Sequence, residues 1–237
     1  MKKIQVLMRQ CYYSPNTAIP NRKRPEWFDK SKVFENFKRT IDHDLADYKI
    51  IYDEKYGPIN QTFLVDEPNV EIINCGQESS SFSRTLDIAT GMGLPDETIV
   101  YFLEDDYLHR PGWCKILLEA FELATDYVSL YDHLDKYTDS GYSNLVSKVM
   151  VSKSVHWRTV PSTCNTYAAR LSMLKSDYAI HKHFSDASPD GVSMDHSKFC
   201  HLGNMGRRLI TPMPGYSTHC DLLQSPTVEW QNYILNL

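Results

Sequence analysis

The chain opens with an apolar run, Ile4 to Met8, that gives way to polar and turn-forming residues, the pattern of a buried strand emptying into a loop. The following stretch, Arg9 to about Trp27, is rich in Pro, Asn and Tyr, and a loop of that length in a compact domain commonly covers or lines a site. From Ser31, which suits a helix N-cap, apolar residues recur with helical spacing at Val33, Phe34, Phe37, Ile41 and Leu45. Tyr48 to Tyr52 predicts a second strand that ends at Asp53 and Glu54, with Gly57-Pro58 as the break. Next come a short strand, Val70 to Asn74, and a helix, Ser80 to Thr90, stopped by Gly91 and Gly93.

Thr98 to Leu103 is the most apolar strand, β-branched or aromatic nearly throughout, as a central strand covered on both faces requires. It runs directly into Glu104, Asp105 and Asp106. After Arg110-Pro111-Gly112, the pattern predicts a helix over Trp113 to Ala124 and a strand over Tyr127 to Tyr131. Strands and helices in alternation imply an α/β fold with a mainly parallel central sheet flanked by helices. Past Leu145 the reading is a hairpin or irregular strands over Val146 to Val160 and helices over Tyr167 to Asp177 and Ser193 to Leu202. A short strand, Arg207 to Thr211, and a last helix with Pro226 in its first turn complete the chain. No repeat or linker divides it, so residues 1–237 read as one domain with halves at 1–131 and 132–237.

Composition narrows the function classes. The 237 residues, 42% hydrophobic, suffice for the core of one α/β domain, and a net charge of −5 argues against broad binding to nucleic acid or anionic lipid. No apolar run reaches the roughly 20 residues of a membrane span, and the N-terminal apolar stretch is too short for a signal peptide, so the expected location is cytoplasmic. Six cysteines are scattered singly with no CxxC pair, which fits reduced thiols better than a zinc or redox motif.

Ligands of open α/β sheets bind beyond the carboxyl ends of the strands, where the acidic trio lies. Hard cations such as Mg2+ and Mn2+ bridge such carboxylates to a diphosphate, although the same acids also fit a solvated strand end. The run Tyr101-Phe102-Leu103-Glu104-Asp105-Asp106-Tyr107, followed by Arg110-Pro111-Gly112-Trp113 and an amphipathic helix, resembles the DxD strand of the GT-A nucleotide-sugar glycosyltransferases. The likeness is to family 2-like, compact bacterial or large-virus enzymes, with Glu standing at the first motif position.

That resemblance implies a Rossmann-like GT-A sheet with a smaller mixed β/helical acceptor-side region, and a sugar transferred from a nucleoside diphosphate sugar, UDP-linked by preference, to a glycan or glycoconjugate hydroxyl. It implies Glu104 and Asp105 on the ribose or sugar, Asp106 on a Mn2+ or Mg2+ ion, Asp53 on the nucleoside and Arg84 on the base or diphosphate. In the second half, Asp190-Gly191-Val192-Ser193-Met194-Asp195-His196 resembles the segment that supplies the base, with Asp195 as first choice and His196 and Asp190 as substitutes; Asp195 equally suits a helix N-cap. Met213 to His219 resembles the C-terminal segment that gives the metal a histidine, His219. Lys136, Lys148, Lys153 and Arg158 read as a charged face that also suits a diphosphate, and the 15 tyrosines and four tryptophans suit both sugar stacking and core. Whether the reaction inverts or retains configuration is left open. The alternatives are a nucleotidyltransferase, against which stands the lack of glycine from Arg9 to Thr17, a metal-dependent hydrolase and a non-catalytic carbohydrate-binding domain.

Overall fold

The computed structural model describes residues 2–13, 23–186 and 190–235. Its strands are β1 (Ile4–Cys11), β2 (Ala46–Asp53), β3 (Val70–Ile73), β4 (Ile99–Leu103), β5 (Tyr107–His109), β6 (Tyr127–Val128), β7 (Val149–Val151), β8 (His156–Thr159), β9 (Tyr167–Arg170), β10 (Leu209–Met213) and β11 (Ser217–His219). The helices are α1 (Lys30–Thr40), α2 (Glu78–Gly91), α3 (Trp113–Ala120), α4 (Asp135–Thr138), α5 (Leu171–Ser176), α6 (Tyr178–Asp186), α7 (Asp195–Asn204) and α8 (Asn232–Leu235).

Nine strands form one sheet in the order β3-β2-β1-β4-β9-β6-β10-β8-β7, and β11 pairs with β5 in a small second sheet. The run β3-β2-β1-β4 is parallel, β9 is antiparallel to both β4 and β6, and β8 is antiparallel to both β10 and β7. Only β9 and β8 therefore oppose the common direction. This is the α/β architecture with a mainly parallel sheet expected from the strand and helix alternation, and it is Rossmann-like, as the resemblance implies.

The period-two pleat explains the apolar character of β4. Ile99, Tyr101 and Leu103 face a core shared with Phe34 and Phe37 of α1 and Trp113 and Leu117 of α3. Val100 and Phe102 face the opposite layer, made with Phe82 and Leu86 of α2, Leu171 and Leu174 of α5, and Phe199 and Leu202 of α7. Every β4 side chain is thus buried, and the first charged side chains after it stand at the strand end.

Several elements differ from the sequence reading. Asp29, not Ser31, caps α1, accepting from the backbone N–H groups of Ser31 and Lys32. β1 runs on through Arg9 and Gln10 to Cys11, because the Arg9 side chain is ion-paired inside the protein. Of the Arg9–Trp27 loop, residues 14–22 lie outside the described residues. Tyr167 to Asp177 is not one helix: Tyr167–Arg170 is β9, wedged between β4 and β6, and the helix begins only at Leu171. A short apolar run has no periodicity to separate strand from helix, and here tertiary pairing decides. Ser225-Pro226 begins no helix; the Ser225 hydroxyl donates to the Ser217 carbonyl and its own carbonyl accepts from Trp230 Nε1, pinning the C-terminal segment to β11. The hairpin over 146–160 is β7 and β8. Cys75, Cys114, Cys164, Cys200 and Cys220 are in no disulfide, and no described helix is long and apolar enough to cross a membrane.

Trp113 meets Phe37, Tyr101 and His109 with ring centroids 6.3, 5.5 and 5.1 Å away. Trp113→Ala is expected to destabilise the protein by about 3–5 kcal/mol in denaturant unfolding, the range for emptying a large buried aromatic site; a loss under about 1 kcal/mol would show that α3 is not packed as described.

Candidate functional site

A cavity of about 440 Å3 opens beyond the carboxyl ends of β1, β2 and β4, between the N-termini of α2 and α7. Glu104, Asp105 and Asp106 form its floor, and each carboxylate is held by a cation from elsewhere in the chain. Glu104 Oε1 accepts from Arg9 at 2.8 Å, Asp105 Oδ2 from Lys30 Nζ at 2.6 Å, and Asp106 Oδ2 from Arg24 at 2.5 Å. Asp106 Oδ2 also lies 3.0 Å from His219 Nε2.

Strand pairing produces that last contact. β5 follows the acids at once, and β11 pairs with it in antiparallel register with His219 opposite Tyr107. The Cys220 N–H then donates to the Asp106 carbonyl at 2.8 Å. On its other side His219 Nδ1 is 2.8 Å from Asp221 Oδ2. Burial disfavours a charged imidazole, yet the two flanking carboxylates outweigh it and raise His219 to about 9. Burial likewise favours a neutral Asp106, but His219 and Arg24 hold its carboxyl far below the ordinary range.

A second charged layer lies behind the floor. Arg9, nearly fully buried, donates to Glu78 Oε1 as well as to Glu104, and Glu78 also accepts from Asn165 Nδ2 at 2.9 Å and the Ser193 N–H at 2.7 Å. Asn165 Oδ1 receives Lys198 Nζ, a lysine with no exposed surface, and Lys198 is 3.2 Å from Asp195 Oδ1. Burial raises Glu104 to about 7 against the pull of Arg9, and Asp195 to about 6 against that of Lys198. These are two acids poised near neutrality in one cavity.

The structure distributes the sequence-predicted residues unevenly. Asp53, Glu104, Asp105, Asp106, Asp190, Asp195 and His219 all line the cavity. Asp53 is occupied by the backbone, accepting from the N–H groups of Cys75 at 3.1 Å and Gly76 at 2.8 Å. It shapes the turn at Gly76, whose φ of +74° and crowding by the Lys55 side chain leave no space for a Cβ. Arg84 is exposed on α2 and does not line the cavity, which corrects its expected place at the base or diphosphate. His196 also lies outside, its Nδ1 3.0 Å from Ser162 Oγ. Asp195 is the first residue of α7 and not its cap, a position held by Met194. Lys148 and Lys153 are exposed, whereas Arg158 is buried against Asp132 at 2.6 Å and Lys136 against Asp135 at 2.9 Å; none of the four reaches the cavity. Six tyrosines, among them Tyr101 and Tyr167, are buried in the core, whereas Tyr13 and Tyr56 present exposed rings at the cavity rim.

The cations Arg9, Arg24, Lys30 and Lys198 and the acid Glu78 were not legible as site residues. Arg9 alone carried a signal, a charge directly continuing an apolar strand. The described residues hold no group of three or more candidate metal ligands. Asp106 Oδ1, however, is buried with no hydrogen-bond partner, and Asp106 lines the cavity beside His219. A hard cation held by one or two protein groups and completed by ligand phosphates matches this donor set.

No family model matches the chain, and no curated protein matches it. The structure of CMP:2-keto-3-deoxy-manno-octonic acid synthetase complexed with CTP is similar over 90% of this chain and 92% of that one, with 15% identity and a TM-score of 0.51. The 4-diphosphocytidyl-2C-methyl-D-erythritol synthase of Anaerococcus prevotii DSM 20548 is similar over 89% and 87%, with 13% identity and a TM-score of 0.46. The chain shares the Rossmann-like α/β fold of the synthetase complexed with CTP. The expected glycosyltransferase identity, with its family 2 likeness, DxD motif and nucleotide-sugar donor, is corrected by this finding: the similar chain is a synthetase complexed with CTP, not a glycosyltransferase.

Two outcomes check the charge arrangement. Arg9→Ala leaves Glu78 and Glu104 buried without their shared partner and is expected to cost about 3–5 kcal/mol of stability in urea unfolding; Arg9→Lys should recover part of it. His219 is stabilised in its charged form, so its contribution is complete below the ordinary value of 6.5 and is lost as pH rises through about 9. Melting temperature should therefore fall across that window, and His219→Gln should flatten the fall; a wild-type profile that His219→Gln leaves unaltered would contradict the pairing.

Proposed function

We propose that the cavity binds a nucleoside triphosphate with a divalent cation and transfers its nucleotidyl group to an oxygen of an acceptor, releasing pyrophosphate. The observation that carries this reading is the pairing of every floor carboxylate with a basic side chain, Glu104 with Arg9, Asp105 with Lys30 and Asp106 with Arg24. A polyphosphate binds where positive charge can be redirected to it. Once a cation sits on Asp106, the guanidinium of Arg24, which lines the cavity, is available to phosphate oxygens, while Lys30 keeps Asp105 in place behind the floor. A side-chain cation then takes the part that backbone N–H groups play in a glycine-rich phosphate loop, which answers the missing glycines.

In such a reaction the acceptor oxygen attacks the α-phosphorus, the bond from that phosphorus to the bridging oxygen breaks, and pyrophosphate departs with the electron pair. Catalysis is mainly positioning and electrostatics. When bound, the divalent ion neutralises charge building on the leaving group. Asp106, assisted by His219, would hold that ion, and Arg24 would bind phosphate oxygens. Asp195, held by Lys198 and raised to about 6, is the base for the acceptor proton at its free oxygen. Tyr13 and Tyr56 at the rim offer faces on which a nucleobase stacks. CTP is the first nucleotide to try, because a chain of this fold has been seen holding it.

Calorimetry with CTP, UTP, ATP and GTP, each with Mn2+, tests the proposal. One triphosphate is expected to bind at least about tenfold more tightly than its monophosphate, and Asp106→Asn to weaken it by at least about tenfold, or 1.4 kcal/mol. Pyrophosphate release on adding hydroxyl and sugar-acid acceptors should accompany it. If all four triphosphates bind no better than their monophosphates with Mn2+ present, the reading fails.

A further inference from the structure

Arg24 occupies an unusual position. One of its terminal nitrogens donates to Asp106 Oδ2, and the other donates to the Cys220 carbonyl at 2.9 Å and lies 3.4 Å from His219 Nε2. The guanidinium is stacked over the Phe28 ring at 4.7 Å from its centroid. It thus touches both groups that fit a metal and closes over Asp106, whose second carboxylate oxygen is buried with no partner. Arg24 also lines the cavity, so its route away from Asp106 is not blocked by core.

We infer that Arg24 is the resident counter-ion of the Asp106 and His219 pair, and that a divalent cation binds there only by displacing it. Guanidinium and metal ion compete for the same lone pairs of Asp106 Oδ2, and the metal ion would add further positive charge beside His219, so the two do not share that oxygen. The displaced guanidinium remains on the cavity wall and moves to an oxygen of the incoming phosphates. Metal and phosphate binding are thereby coupled: the cation alone binds weakly because it must evict Arg24 to an unpaired position, and the nucleotide supplies the new partner. An ion with no nucleotide meets a closed site, and one arriving with nucleotide meets an open one. The inference rests on the reading of this cavity as a cation-assisted nucleotide site.

The coupling predicts effects of opposite sign from one substitution. Mn2+ affinity without nucleotide is read from the electron paramagnetic resonance signal of the free ion, for wild type, Arg24→Ala and Arg24→Gln. Both variants are expected to bind Mn2+ at least about tenfold more tightly than wild type, because the binding-competent form no longer has to be opened at a cost. Both should bind CTP in the presence of Mn2+ at least about tenfold more weakly. Adding Asp106→Asn to Arg24→Ala should abolish the gained Mn2+ affinity, and melting temperatures confirm that the variants are folded. Mn2+ affinity that is unchanged or weaker in both Arg24 variants, tight binding that survives Asp106→Asn, or no Mn2+ binding by any form overturns the inference. Tightened Mn2+ binding without pyrophosphate release from any triphosphate would uphold the displacement of Arg24 and remove the nucleotidyl-transfer reading.

Discussion

The ion pairs of Arg9 are the constraint on which the rest of the site depends. A guanidinium almost wholly out of water is tolerable only if its charge is matched at close range, and Arg9 meets Glu78 and Glu104 at 2.9 and 2.8 Å. Those two acids stand on different elements, α2 and the end of β4, so the pairing fixes how the helix starts relative to the central strand. Glu78 passes the constraint on, since Asn165 and the backbone of Ser193 both donate to it. The segment before α7 and the residues before β9 are thereby placed against the first half of the chain by polar contacts, where apolar packing alone would leave them room to slide.

A consequence of this arrangement is that each acid on the cavity floor is matched by a cation from elsewhere in the chain. The acids are in place before any ligand arrives, each held in one orientation by a partner, and little reorganisation is then needed when charges are exchanged. Lys198 illustrates the cost that such a design accepts. It has no exposed surface, lies against Phe82, Tyr167 and Phe199, and is tolerated because Asn165 and Asp195 satisfy it.

The fold was more legible in the sequence than the site. A strand such as Ile99–Leu103, apolar at every position, is visible because both faces are buried, and the acids that follow are visible because they break that pattern. Tyr167–Arg170 was misread because four residues carry no usable period and their slot between two other strands is set by distant partners. The same holds at the site. Asp106, Asp195 and His219 stood out from their local contexts and do line one cavity, but Arg24 and Lys30 are ordinary surface-type residues in sequence and become site residues only through contacts 82 and 75 positions away. Arg84, suited by its place on the helix after the third strand, points to solvent because helical phase, which spacing reads only approximately, puts it on the outer face. The transferase class was misjudged for a related reason: acids at a strand end are shared by enzymes that make nucleotide sugars and by enzymes that consume them.

The pairing of β5 with β11 has a temporal meaning. Asp106 and His219 meet at a sequence separation of 113, and they do so through a strand that lies among the last elements of the chain. A growing polypeptide can assemble β1 to β4 and expose its three acids well before the segment carrying His219 and Asp221 exists. Contacts of such long range form late, after the loop they close has been ordered. The pairing of Asp106 with His219 is therefore completed only when nearly the whole chain has folded, so that a truncated or half-folded copy retains acids at a strand end but lacks the imidazole that pairs with them.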